Sequence, residues 1–167
     1  KLEVIRTLMF GVDVLIIDPE NEYQRLANSF GGSFFNISLS SAEHINPFDI
    51  PLVPEGENPG DVLRSHIVNM AGLLKLMLGK LSVEEDALLD RAITETYASR
   101  EITPNEDFSK ATAPLLEDLE TVLRNIEGGR AMAERLYKYT KGSFAGFLNK
   151  PTNIDINNRL IVFSIRD

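Results

Sequence analysis

The chain contains no cysteine, which excludes a disulfide framework and any thiolate metal site and suits a reducing cytosol. It also lacks a long apolar run. A membrane-spanning helix needs roughly 18 uninterrupted apolar residues, and the best candidate, Val62 to Leu78, is broken by Arg64, His66, Asn69 and Lys75. No secretory signal is visible. Runs of Lys and Arg are missing too, and the formal net charge is −8, so direct nucleic-acid contact through this segment is not expected. The acid is unevenly spread: residues 1–55 carry 3 basic and 8 acidic side chains, residues 56–141 carry 11 and 15, and residues 142–167 carry 3 and 2. The phosphate-binding pattern G-x-x-x-x-G-K-[ST] does not occur. Its nearest imitation, Gly72 to Gly79-Lys80, has six residues between the glycines, Leu81 after the lysine, and an apolar helical stripe running through it.

Other chemistries are equally thin. His44 and His66 lie far apart with no zinc-type spacing around them. Ser33, Ser38, Ser40 and Ser41 lack the Gly-x-Ser-x-Gly elbow of a hydrolase nucleophile.

What remains is a chain of 167 residues, 43% of them hydrophobic, enough for one globular domain with a real core. It divides into three zones. In residues 1–54 helix and strand alternate. Lys1–Phe10 has Leu2, Ile5, Leu8 and Met9 at helical spacing, with Gly11 as the stop. Val12–Ile17 is a short β-branched run of the kind buried in parallel sheets, ended by Asp18-Pro19. Glu20–Phe30 reads as a helix with Tyr23, Leu26, Ala27 and Phe30 on one face, and Ser33–Leu39 as a second strand after Gly31-Gly32. That order implies a parallel sheet with crossovers.

Residues 55–141 hold no convincing strand. Four helices are expected: Asp61–Leu78; Ser82 to about Arg100, opened by a Ser82–Glu85 capping box; Pro114–Ile126; and one following Gly128-Gly129 with Met132, Leu136 and Tyr139. A loop around Thr103–Lys110 separates the second from the third. Residues 142–167 return to strand at Leu160–Ile165, after the turn signal Asn157-Asn158. A chain that opens inside a helical pattern and closes directly behind a strand reads as an internal piece of something larger. The expected fold is therefore α/β, a partial parallel sheet with an inserted all-helical subdomain.

The stretch richest in chemistry is Val14 to Tyr23, where an apolar strand delivers Asp18, Glu20 and Glu22 to its C-terminal end. Open α/β sheets bind ligands at that edge. Carboxylates there can hold Mg²⁺ through water, or orient a water for phosphoryl transfer. A simpler account treats them as acids suited to the start of a helix, and residue types alone favour it. Four apolar residues before Asp18 imitate a Walker B strand, but Pro19 and the preceding amphipathic helix place this strand elsewhere in a sheet. His44 and Asn46-Pro47-Phe48-Asp49 form a compact turn that could border a nucleotide base or a subunit contact. Turn chemistry favours Asn and Asp bonding their own backbone while Phe48 fills a core gap. Arg166, closing the last strand, could act as a charge sensor or arginine finger, or pair with a carboxylate.

Several of these segments together resemble a known family. Leu8 through Tyr23, with its Asp-Pro-Glu-Asn-Glu-Tyr run, is similar to the segment that follows the P-loop helix in conjugative-transfer (type IV secretion) ATPases. These are VirB/TraC-type members of the FtsK/HerA-like class of ring NTPases. The likeness continues at Gly31-Gly32, Asn36–Leu39, Ile45–Asp49, Gly142–Ala145 and Leu160–Asp167. It implies a partial RecA-like P-loop NTPase core, with the P-loop just before Lys1 and the Walker B strand after Asp167. It implies that Asp18, with Glu20 and Glu22 next in line, approaches the nucleotide-bound metal and water, Asp18 touching Mg²⁺ indirectly; Asn46 and Asp49 are candidates to border the cofactor from their turn alone, not from the resemblance. It further implies ATP and Mg²⁺ in the whole protein, a hexameric ring, other secretion components as partners, and a cytoplasmic place at the inner face of the cell membrane. Neither Walker motif lies within these residues, so they are not expected to bind nucleotide or catalyse alone. The alternatives are a DNA translocase of the same class, for which no basic ring-facing loop is visible, and a non-enzymatic α/β interaction module.

Overall fold

A computed structural model describes residues 1–38 and 42–165. The chain forms two compact units, one from residues 1–45 and 152–167, the other from residues 46–151. The helical unit thus enters the chain between two strands of the sheet unit. The division falls so that residues 46–54 and 142–151 pack with the helices.

In the sheet unit, α1 (Leu2–Met9), β1 (Val14–Asp18), α2 (Gln24–Ser29), β2 (Ser33–Asn36) and β3 (Leu160–Ser164) follow the expected alternation. The three strands are parallel in the order β1-β3-β2. Val14, Ile16, Leu160, Val162 and Phe34 pack on Val4 and Leu8 of α1 and on Leu26 and Ala27 of α2. The other face differs from the doubly buried strand expected of Val14–Ile17. Leu15 is 63% and Ile17 65% exposed, because β1 is an edge strand and both helices lie on its opposite face. Phe35 and Phe163 stack on this open face with ring centres 5.6 Å apart.

Boundaries moved for local reasons. The second helix begins at Gln24 and not at Glu20, since residues 19–22 form a turn in which Asn21 adopts a left-handed φ of 55°. β2 ends at Asn36, and Leu39 of the expected strand lies outside the described residues.

The helical unit contains α3 (Pro59–Leu78), α4 (Val83–Ala98), α5 (Leu116–Asn125), α6 (Arg130–Thr140) and a single turn, α7 (Ala145–Leu148), which the sequence pattern did not suggest. The expected stripes form the core: Leu63, Ile67, Met70 and Leu74 of α3 meet Leu89, Ile93 and Tyr97 of α4, with Leu119 and Leu123 of α5 and Met132 and Leu136 of α6. α3 starts at Pro59 because Asn58 Oδ1 accepts the Gly60 and Asp61 amides and proline suits the first helical position. The capping box at α4 is present: Ser82 Oγ accepts from Glu85 N at 3.2 Å and Glu85 Oε2 accepts from Ser82 N at 2.9 Å. Glu85 also pairs with Arg135 of α6. Ser82→Ala is expected to destabilise the helical unit by about 1 kcal/mol, seen as a lower urea midpoint at unchanged slope; no shift would show that Glu85 and Arg135 hold α4 without the cap.

The two linkers of the sheet unit are clasped by Asn153. Its Oδ1 accepts from His44 N at 2.7 Å, its Nδ2 donates to Ala42 O at 2.8 Å, and its own N–H donates to His44 O at 3.3 Å.

Candidate functional site

β1 carries Asp18 to the C-terminal edge of the sheet, in register with Ser164 of β3, which is in turn in register with Asn36 of β2. The ladder holds to the end of the edge: Ile165 N donates to Asp18 O at 3.2 Å and Ile37 N to Ser164 O at 2.7 Å. Alternation puts Asp18 on the same face as Val14 and Ile16, beneath the helices. There its side chain is 2% exposed.

A buried carboxylate must find donors or lose its charge. Asp18 finds them in the turn that follows. Its Oδ2 accepts the Tyr23 amide at 2.9 Å. Burial alone would raise its pKa, but the backbone donors of Tyr23, Glu22, Glu20 and Asn21 together outweigh burial and hold the carboxyl below its usual value. Asp18 is therefore ionised and committed to the peptide amides of residues 20–23. It sets the turn that presents Glu20 and Glu22. Its oxygens do not fit a direct metal ligand, whereas contact with a cation through water is compatible with this arrangement.

Glu20 is exposed and forms no side-chain hydrogen bond or ion pair among the described residues. Glu22 pairs with Lys1 at 3.3 Å, both side chains largely in solvent, an arrangement worth little in itself. Lys1 Nζ also stands 5.4 Å from the Tyr23 ring centre. The start of α1 and the acidic turn are thus brought together at one end of the sheet. No three His, Asp or Glu side chains lie close enough to enclose a metal among the described residues.

Sequence reasoning missed Ser164. It is 1% exposed and its hydroxyl has no partner among the described residues. The available signal was a lone polar residue in the run Leu160-Ile-Val-Phe-Ser-Ile165.

Asn46 and Asp49 belong to the helical unit. Asn46 is buried; its Oδ1 accepts the Phe48 amide at 3.0 Å and its Nδ2 donates to Pro114 O at 2.9 Å. Phe48 is wholly buried against Tyr97, with ring centres 5.3 Å apart. Tyr97 Oη donates to Phe48 O at 3.3 Å and lies 2.9 Å from His66 Nε2. The phenol has one proton, so His66 is assigned as donor through Nε2–H. Burial first, then the charge of Asp49, raises the Tyr97 pKa; burial lowers that of His66 against the opposing pull of Asp49. Arg166 lies outside the described residues.

A scan of family models finds no match, and no curated protein matches in sequence. Among solved structures, VirB4 of Thermoanaerobacter pseudethanolicus is similar over 98% of this chain, with 27% identity and a TM-score of 0.81. The chain spans 44% of that chain's length. The expected resemblance to type IV secretion ATPases, and the partial RecA-like α/β fold with helices between its strands, are borne out by this likeness.

Proposed function

We propose, from the likeness to VirB4, that the chain is part of an ATP-hydrolysing motor that energises type IV secretion or conjugative transfer. The observation that carries this reading is a structural match extending over both units, sheet and helices alike. In this reading the whole protein binds ATP and Mg²⁺ at the C-terminal edge of the sheet, beside the N-terminal end of α1. Mg²⁺ would neutralise phosphate charge there. The chain's own contribution is the Glu20–Tyr23 turn. Asp18 anchors it, and Glu20, exposed and without a side-chain partner among the described residues, together with Glu22, is proposed to orient water or contact the metal shell. The motor assembles as a ring of like subunits with other secretion components, at the cytoplasmic face of the membrane. No helix among the described residues is long and apolar enough to cross one.

The test is ATP hydrolysis by the full-length protein that carries these residues. Asp18→Asn should slow turnover by about 10- to 100-fold, the scale of a misplaced catalytic geometry, with a much smaller change in nucleotide affinity. Unchanged turnover would remove Asp18 from the machinery. A full-length protein that neither binds nor hydrolyses ATP would sink the motor reading altogether.

A further inference from the structure

Four consecutive exposed residues, Pro19 to Glu22, hang on a single buried acceptor. The Tyr23 amide ends on Asp18 Oδ2 at 2.9 Å, and the amides of Glu22, Glu20 and Asn21 lie close enough to stabilise the same charge. Apart from the Lys1–Glu22 pair, itself in solvent, residues 19–22 form no side-chain hydrogen bond or ion pair among the described residues. Asn21 holds a left-handed φ of 55°, which asparagine tolerates but does not prefer. Segments so exposed and so singly held open locally, well below the free energy of global unfolding. Opening strips Asp18 of its donors, and a buried carboxylate left bare is costly unless another donor replaces them. The neighbouring strand carries one. Ser164 is in register with Asp18, and alternation puts both on the helix-covered face. Parallel strands stand about 4.8 Å apart, so the two side chains are nearest neighbours across the sheet. The Ser164 hydroxyl is buried and has no partner among the described residues.

We propose that Ser164 is the second partner of Asp18 in a two-position switch. With the turn closed, the carboxylate holds the Tyr23 amide and its neighbours. With the turn open, the Ser164 hydroxyl rotates about χ1 into another staggered well and donates to the carboxylate instead. The hydroxyl lacks a partner in the closed position because its bond belongs to the open one. Its other in-register neighbour, Asn36, is exposed and uncharged, so Asp18 is the acceptor that a buried donor on this strand favours. Opening then exchanges donors on Asp18 without baring its charge, and the ladder bond from Ile165 N to Asp18 O stays in place. Glu20 and Glu22 leave the edge of the sheet together, as one piece. The closed position dominates, because it satisfies several amides where the open one satisfies a single hydroxyl. This inference concerns the turn itself and is independent of the motor reading.

Amide exchange separates this switch from a static role for Ser164 by its sign. Ser164→Ala removes the partner of the open position only. The amides of Glu20 to Tyr23 should then exchange about tenfold more slowly, the worth of one hydrogen bond to a charged group, while those of Ile37 and Ile165 keep their rates. Ser164→Thr keeps the hydroxyl on a residue that suits a strand and should restore the unaltered rate. A hydroxyl that props the closed turn would instead give faster exchange in Ser164→Ala. That result, or no change, would overturn the proposal, as would slowed exchange in the threonine variant, because the hydroxyl would not be its cause. Relaxation dispersion on the unaltered protein decides the matter even if the alanine variant does not fold. The Ser164 side chain and the turn amides should report one shared exchange process on the μs–ms scale of local opening. Exchange at the turn without Ser164, or at neither, would sink the switch.

Discussion

Phe48→Ala is expected to destabilise the helical unit by about 3–5 kcal/mol, the range for a fully buried aromatic whose site cannot collapse. The site is over-determined. Phe48 packs on Tyr97, its amide is held by Asn46, and its carbonyl receives the Tyr97 hydroxyl. Loss of the ring leaves a cavity beside α4 and loosens the path from Asn46 to Pro114. Tyr97→Phe removes only the hydroxyl and should cost about 1–3 kcal/mol, because Phe48 O and the His66 Nε2–H are left without a partner. Urea unfolding followed by hydrogen exchange at α3 and α4 amides gives both values. A Phe48→Ala protein of near-normal stability but altered nucleotide affinity would assign Asn46–Asp49 to ligand contact and not to packing.

That motif shows what the sequence disclosed and what it withheld. Asn-Pro-Phe-Asp is legible as a turn, because asparagine bonding its own backbone two residues on is local chemistry. Its attachment to the helical unit depends on Pro114 and Tyr97, 68 and 49 residues away in the hydrogen-bonded pairs, and no local pattern reports such partners. The helices were legible for the opposite reason. Their apolar spacing and caps, such as Ser82–Glu85, are written within single segments. Parallel pairing was implied by helix–strand alternation, but the strand order, with β3 between β1 and β2, was not. The late start of α2 was hidden because Glu20 and Glu22 suit a helix N-terminus. Asp18 instead draws the amides of residues 20–23 onto itself, and the chain turns before it can coil.

The same commitment makes Asp18→Ala the most damaging change expected in the sheet unit. It leaves the Tyr23 amide and its neighbours in the turn without their acceptor, at about 1–3 kcal/mol for each donor that water cannot reach. The amides of Glu20 to Tyr23 should then exchange with solvent at least tenfold faster, while those of α4 keep their protection. Acid should mimic the substitution. The folded carboxyl of Asp18 titrates below its usual value, so its contribution is fully present above the unfolded pKa of about 3.9 and is lost as pH falls through the lower folded value. Glu120 has the same sign in the helical unit: burial raises its pKa, but Thr140 Oγ1 at 2.5 Å and Arg124 at 2.7 Å outweigh that and hold it down. Exchange measured between pH 5 and pH 2 on the unaltered protein and on Asp18→Asn separates the two. The asparagine keeps one acceptor oxygen but cannot titrate, so the acid-induced opening of the Glu20–Tyr23 turn should flatten while that of α5 and α6 persists. An unchanged acid response at the turn would mean that Asp18 is not its anchor. Glu20 and Glu22 would then owe their placement to Lys1 and the Tyr23 ring, an exposed contact that salt would readily weaken.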